Sequence, residues 1–494
     1  MVGEEVGAAD GQAGIFHRRH RLTSAGLLLL VTFVAFEAMA VGTAMPTAVA
    51  ELHGLAWYAW PFSAFLVASV TGIVVGGDLG DRRGVRLVLP WGVAAFAAGL
   101  LIAGTAGSMV VFVGGRAVQG LGAGVIAVLL YVIAGQAYEA TLRPRLFGAM
   151  ATAWVLPALV GPLVAGLITA HASWRWVFLG LLPLILVGLV LVLPALRSLS
   201  APEPAAGRGP ARWCWSVVAG LGIGALQYAG QRRDLPALAL AVAGAAALVA
   251  GLRPLLPAGT GRARPGLPAV VASRGLLAGA FFGLDALLPL TLTQVHGYSP
   301  TAAGVPLTAG AIGWAAAAQL QGRFPGVPRA RVLRLGFVLL AVGLAATALA
   351  ALPALGGWPA YGTWAVAGLG MGLGMPSVGI LLLDASPVHR RGADSAALQI
   401  ADVTASALCV GLAGVLVAAA TAGAFSLPLA VTGSIAVFVL LALAGVRVAG
   451  RAAAPAPTPA GPAAATTLAS ATARSRTSRA GEGTWPTSAS EEGT

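Results

Sequence analysis

The sequence predicts an all-α integral membrane protein of about fourteen transmembrane helices, grouped six, two and six, with the two sets of six forming pseudo-symmetric halves. Three observations carry this expectation. The chain is 58% hydrophobic and 10% charged, with a mean hydropathy of +0.86, whereas charged residues make up about a quarter of a soluble domain. Apolar stretches recur from end to end, each of the ~20 residues that a helix needs to cross a ~30 Å hydrocarbon core. Finally, RAVQGLGAG (Arg116 to Gly124) returns 248 residues later as WAVAGLGMG (Trp364 to Gly372), with six of nine positions identical.

In chain order the spans are expected near 24–46, 57–76, 88–106, 109–136, 146–169 and 175–196, then 213–230 and 236–252. The second six follow near 268–293, 300–321, 331–352, 358–382, 396–420 and 425–447. The seventh and eighth are the shortest. The same offset carries Glu37 onto Asp285, each followed by alanine inside an apolar run, and Arg143 onto Arg391 and Arg86 onto Arg334 at run ends. A duplicated membrane half with one carboxylate kept per copy is the pattern of secondary transporters, whose substrate site lies between the repeats. The resulting division is a tail at 1–23, a first half at 24–196, a linker with two central spans at 197–267, a second half at 268–447 and a disordered tail at 448–494.

Charge placement orients the spans. All 30 basic residues are arginine, and with both termini inside all but five fall in the tails or inner loops. The five are Arg175, Arg232 and Arg233 outside, and Arg116 and Arg274 within spans. Cationic loops stay cytoplasmic, so the net charge of +13 reads as membrane topology, not as a nucleic-acid footprint. A cell-membrane, multi-pass location with cytoplasmic termini follows. HRRHR (His17 to Arg21) precedes a first span too long for a cleaved signal peptide.

Several chemistries are excluded. Without lysine there is no phosphate-binding Gly-Lys loop and so no nucleotide motor, and no Schiff base. No HExxH or CxxC occurs, and Cys214 and Cys409 fall in or beside spans, which implies no disulfide or zinc framework. No enzyme, metal or cofactor is expected. The drive must be a gradient.

Ionised groups in hydrocarbon cost several kcal/mol and are functional suspects. Glu37 lies nine residues before Pro46, taken as the outer end of span one, so about 13 Å deep at the helical rise. Arg116 lies eight residues after Ser108, about 12 Å deep by the same rise, and an ion pair is expected; snorkelling or packing within the half is the bland alternative. Trp364 replaces Arg116 in the second copy, leaving Asp285 without that counter-charge. Desolvation favours the neutral form of such a carboxylate, which gives Asp285 the character of a proton carrier; satisfaction by Thr291 or Thr293 is the competing account. Trp57, Tyr58 and Trp60 read as interface anchors. His53 and His296 read as wet interface residues, Asp402 as a helix-end charge and Arg274 as a snorkelling one.

Between spans two and three lies GDLGDRRGVRL (Gly77 to Leu87). Gly77 and Gly80 suit close helix approach, Gly84 a tight reversal, Asp81 a helix N-terminus, and Arg82 and Arg86 acidic lipids or carboxylates. This string resembles the cytoplasmic loop motif of the major facilitator superfamily. RAVQG (Arg116 to Gly120), which includes Gln119, resembles its span-four arginine motif. PALVGPLVAG resembles the span-five motif of drug–proton antiporters, with Gly161, Pro162 and Gly166 kept and Pro157 and Ala165 in place of two glycines. Glu37 to Pro46 has the acidic-to-proline spacing of the first-span motif in the fourteen-span branch, with Met39 and Gly42 where that motif has threonine and asparagine. WRWVF (Trp174 to Phe178) with Pro183 resembles the start of its sixth span.

The resemblance implies a major facilitator fold and proton-coupled export of small lipophilic, often cationic compounds by alternating access. It implies proton coupling or substrate contact at Glu37, Asp285, Arg116 and Gln119, and gating at the Gly77–Arg86 loop. Protons, a small-molecule substrate and the bilayer are the expected partners, with no nucleic acid, and a monomer is expected. A transporter of one metabolite is the second reading, and a membrane sensor or scaffold that kept the fold is the alternative from another class.

Overall fold

The computed structural model describes residues 14–453, except 140–141, 143–144, 147–148, 151–152, 199–210, 233, 322–326 and 388–390. Both expected tails lie largely outside these residues, as do Arg143, Arg233 and the start of the first linker; of Arg391 the backbone alone is described.

Every expected span meets a helix. The first group comprises α1 (Arg21–Glu51), α2 (Trp60–Arg83), α3 (Val85–Gly104), α4 (Met109–Ala137), α5 (Val155–His171) and α6 (Leu181–Ser198), the last preceded by a short helix Arg175–Leu179. The central pair is α7 (Ala211–Gly230) and α8 (Leu235–Leu252). The second group comprises α9 (Leu267–His296), α10 (Pro300–Gln321), α11 (Arg329–Thr347), α12 (Pro359–Ala385), α13 (Arg391–Thr421) and α14 (Leu427–Ala449). Among the described residues, 12 spans are long and apolar enough to cross a membrane. The exceptions are α5, with 17 residues, and α7, which is diluted by Arg212, Ser216 and Gln227.

Local chemistry sets the reversals. Ser108 caps α4 by accepting from the Val111 amide, and Asp234 caps α8 by accepting from the Ala237 amide at 3.1 Å. Arg232 beside Asp234 holds that carboxyl below its usual range. Gly84 turns the chain between α2 and α3 at φ 83°, a conformation that favours glycine. Pro46 does not end α1, contrary to expectation; the helix runs through it to Glu51. Neighbouring helices can cover the backbone groups that a proline frees within a membrane.

Packing repeats between the halves. The fourth helix of each group lies against the second and third: α4 on α2 and α3, α12 on α10 and α11. The first lies against the fifth and sixth: α1 on α5 and α6, α9 on α13 and α14. Glycines permit the approach. A Cβ at Gly120 or Gly124 would strike the carbonyls of Phe65 and Ser69, and one at Gly368 or Gly372 those of Gly310 and Trp314. Gly122 sits against Gly92 and Phe96 as Gly370 sits against Gly336 and Leu340.

These contacts also correct the repeat. The offset of 248 holds along α4 and α12, but Phe65 corresponds to Gly310, an offset of 245, and Gly92 to Gly336, an offset of 244. Arg86 therefore corresponds to Ala330 and not to Arg334, because the second half has a longer connection between its third helix, ending at Thr347, and its fourth, starting at Pro359, than the first half has between Gly104 and Met109.

The halves meet through exchanged elements, α5 against α10 and α2 against α13. The α7–α8 hairpin packs on both α2 and α13. Arg21 and Ala449 mark one end of the bundle; the opposite, far end holds Glu51, His171 and Pro300.

Candidate functional site

Glu37 lies 16 residues from the start of α1 and 14 from its end, roughly 24 and 21 Å along the helix at 1.5 Å per residue. It is therefore deeper than the position of Pro46 suggested. The expected partner is present: Arg116 on α4 forms an ion pair with Glu37, and both are buried. The Arg116 side chain also donates to Gln119 Oε1 at 2.6 Å and to the Pro61 carbonyl at 3.3 Å. Its guanidinium lies 4.4 Å from the centroid of the Phe65 ring and 5.9 Å from that of Phe178, and such aromatic faces attract a desolvated cation. Glu37 Oε2 and Gln119 Nε2 make no hydrogen bond of good geometry, although the Gln119 amide is near enough to interact with the Glu37 carboxylate. The centre thus keeps one acceptor and one donor uncommitted to any firm bond. Sequence reasoning had no signal for Phe65, which belongs to no motif, and met Phe178 only as the end of WRWVF, with nothing to link it to Arg116.

Asp285 on α9 is partly exposed and makes no hydrogen bond or ion pair among the described residues. The hydroxyls of Thr291 and Thr293 are spent on their own helix, bonding the Leu287 carbonyl at 3.0 Å and the Pro289 carbonyl at 2.9 Å. They do not satisfy Asp285. Trp364 is fully buried and stacks on Phe281 with centroids 4.7 Å apart, one turn before Asp285. A tryptophan that fills the place of Arg116 supplies packing where the first half has charge.

Tyr58 was expected at the membrane interface and is instead buried between the halves. Its hydroxyl donates to the Ala286 carbonyl at 2.6 Å, within electrostatic reach of Asp285. Trp57 remains exposed as an anchor would be. Arg274 and Asp402, read separately as end charges, pair with each other between α9 and α13 at 2.6 Å. His296 is likewise not simply wet, since its ring bonds the Ala350 carbonyl at 2.7 Å.

In the loop motif, Gly80 makes the expected close approach: a Cβ there would lie 2.7 Å from Leu129 Cδ2. Gly77 does not, for its nearest neighbour is Val128 at 3.9 Å. Gly76, one turn before Gly80, takes that role at 2.9 Å from the Val125 Cα. Arg82 pairs with Asp78 at 3.1 Å, while Asp81 and Arg86 are exposed at the reversal.

The span-five motif lies at the far-end seam. A Cβ on Gly166 would come within 2.6 Å of the Thr301 Cα, and one on Gly304 within 2.7 Å of the Pro162 carbonyl. Gly161 faces Met39 of α1, and Pro157 lies in the first turn of α5. These small residues bring α5 and α10 into backbone contact. Beside them, Glu51 accepts from the Trp174 indole at 2.7 Å and pairs with Arg175. This clasp from the end of α1 to the start of the sixth span was not foreseen.

Comparison with known proteins bears on the family and the fold. The family model of the Major Facilitator Superfamily matches residues 27–361. The multidrug transporter protein MdtP of Bacillus subtilis (strain 168) is 30% identical over 185 residues, 37% of this chain and 34% of that protein. Several curated relatives are matched over only about a third of their length or less. A probable multidrug-efflux transporter of Mycobacterium tuberculosis (strain H37Rv) is 29% identical over 446 residues, 81% of this chain and 88% of that protein. Among solved structures, an auto-inhibited peptide transporter of the POT family superposes with a TM-score of 0.67 at 16% identity, covering 89% of this chain and 98% of that one. At such identity the likeness is one of fold. Twelve membrane-length helices among the described residues, the repeated packing of two groups of six and a family match across most of the chain lead to one conclusion: this multi-pass membrane protein belongs to the Major Facilitator Superfamily.

Proposed function

We propose that the protein is a proton-coupled exporter of small lipophilic, often cationic compounds, and not an enzyme. The observation that carries the reading is the unequal pair of intramembrane carboxylates: Glu37 is held by Arg116, while Asp285 has no such partner among the described residues. A carboxylate without a counter-ion in a low-dielectric site exchanges a proton more readily than it stays charged. Glu37 with its uncommitted oxygen suits a cationic substrate, and the aromatic walls at Phe65 and Phe178 suit a lipophilic body. The multidrug-efflux name of the relative from Mycobacterium tuberculosis and the multidrug-transporter name of that from Bacillus subtilis point the same way.

In this reading residues 24–196 and 268–447 rock against each other around the site, with the Gly77–Arg86 loop gating the end that faces the cytoplasm. The crowding of arginines such as Arg82, Arg83, Arg329 and Arg331 at the end that holds Arg21 and Ala449 supports cytoplasmic termini in the cell membrane. A monomer suffices, because both carboxylates belong to one chain.

The test is efflux from cells whose proton gradient is collapsed by an uncoupler while ATP is maintained. Efflux is expected to stop. Efflux that persists and follows ATP sinks the antiporter reading.

A further inference from the structure

The α7–α8 hairpin belongs to neither group of six helices, and the transport reading gives it no task. Its packing relies on glycine: Gly222 and Gly244 sit against the backbone of the facing helix, and a Cβ on Gly220 would lie 2.7 Å from Val67 Cγ1 of α2. Gly224, one turn beyond Gly220 on the same face, breaks the pattern. A Cβ there would meet nothing within 4 Å. The space belongs to a groove of about 540 Å³ between α2 and the hairpin, walled by Val67, Leu221 and Leu240. None of its lining side chains carries a charge, and Leu221 is 68% exposed, so the groove opens sideways, toward lipid in a membrane.

Unmet polar groups gather nearby. Trp60 lines the groove, and its indole N–H has no acceptor. Ser63, one turn on, and Gln227 of α7 are 2% and 3% exposed, and neither the Ser63 hydroxyl nor either polar atom of the Gln227 amide is hydrogen-bonded. Both flank Gly411 of α13, with Gln227 Oε1 3.4 Å and Ser63 Oγ 3.8 Å from the place a Cβ would take. Unpaired polar atoms in an apolar setting cost free energy that a bound partner can recover. At the mouth the chemistry is already satisfied: Arg232 donates to the Tyr228 hydroxyl at 3.0 Å and pairs with Asp234.

We propose that this groove binds an uncharged lipophile carrying a hydroxyl or carbonyl oxygen at one end, which enters from the bilayer. A turn of the Trp60 ring brings its buried N–H to that oxygen, with Gln227 and Ser63 behind it, and the apolar body lies over Gly224. A charged head has no counter-ion in this lining and would forfeit its hydration, which sets the site apart from the Glu37–Arg116 centre. A membrane lipid and a transported compound share this chemistry.

The test uses the purified full-length protein in lipid nanodiscs and two diazirine probes, a hexadecanol and the matching hexadecane, with adducts mapped by mass spectrometry. The alcohol is expected to label α7 about fivefold more than the alkane, the worth of roughly one hydrogen bond. Gly224→Leu starts its side chain in open space and is expected to abolish the labelling. Trp60→Phe keeps an aromatic ring but loses the N–H, and brings the two probes toward parity. Equal labelling by both probes, or labelling untouched by Gly224→Leu, overturns the proposal. When labelling behaves as expected, efflux assigns the source. Slower export of neutral lipophiles in Gly224→Leu marks cargo; unchanged export with loss of a bound lipid in native mass spectrometry marks a membrane lipid. Labelling needs no proton gradient, so it fails or succeeds independently of the antiporter reading.

Discussion

Tyr58 of the first half is hydrogen-bonded to the Ala286 carbonyl of the second, at 2.6 Å and one residue from Asp285. The bond ties the far-end seam to the backbone of the unpartnered carboxylate. Whatever separates the halves at this end must break it, and whatever repositions Asp285 must move its acceptor.

Tyr58→Phe removes this tie while keeping the ring. Ala286 lies inside α9, where its carbonyl retains the helical partner, so the loss is about 1 kcal/mol, a shift of roughly fivefold toward separated halves. A cysteine at Thr301, placed in a background lacking Cys214 and Cys409, is expected to react correspondingly faster with a membrane-impermeant maleimide. Unchanged reactivity shows that the hydroxyl does not hold the seam.

The Glu37–Arg116 pair predicts a stability pattern. Arg116→Leu strands a buried carboxylate and is expected to cost roughly 3–5 kcal/mol, read as a lower thermal midpoint in detergent. The double variant Glu37→Gln with Arg116→Gln removes both charges and is expected to regain most of that loss without regaining transport. Glu37→Gln alone is expected to weaken binding of cationic compounds more than neutral ones. A double variant as unstable as Arg116→Leu shows that lost packing, not the stranded charge, sets the cost.

How much of this was legible in the sequence depends on what one dimension encodes. The length of apolar runs is a one-dimensional property, so the spans were readable, α5 and α7 included. Depth is nearly so, and Glu37 was matched to Arg116 even though Pro46 was misread as the helix end. The direction in which a side chain points around its helix was not encoded. Arg274 and Asp402 therefore looked like two end charges until α9 and α13 were seen to pack together. For the same reason Tyr58 passed for an interface anchor, and Gly77 stood in for Gly76, which shares a face with Gly80. The repeat hid its own shift, because the offset of 248 holds along α4 and α12 but not along α2 and α10 or α3 and α11.

At the reversal after α2, Asp81→Asn keeps the size of the side chain and removes its charge. Gly84 and the glycine face of α2 remain, so the protein is expected to reach the membrane in near-normal amounts. Transport is expected to fall sharply if the loop is a gate, because a carboxylate serves a helix N-terminus better than an amide does. Efflux and surface abundance measured on the same cells separate the two effects. Normal efflux by Asp81→Asn reduces the loop to a topology signal.

The final prediction divides labour between the two carboxylates. Asp285 has neither a cation nor a hydroxyl bonded to it among the described residues. An amide in its place resembles the protonated acid in shape and charge, so Asp285→Asn is expected to abolish proton-coupled efflux while leaving substrate binding largely intact. Glu37→Gln, which unpairs Arg116, is expected to act chiefly on binding. Substrate binding and proton release, measured together on each purified variant in weakly buffered detergent solution, decide between them. If Asp285→Asn still releases protons when substrate binds and Glu37→Gln does not, the roles are exchanged. The ion pair would then be the coupling element, and the two uncommitted atoms on Glu37 and Gln119 would be where the proton is handled.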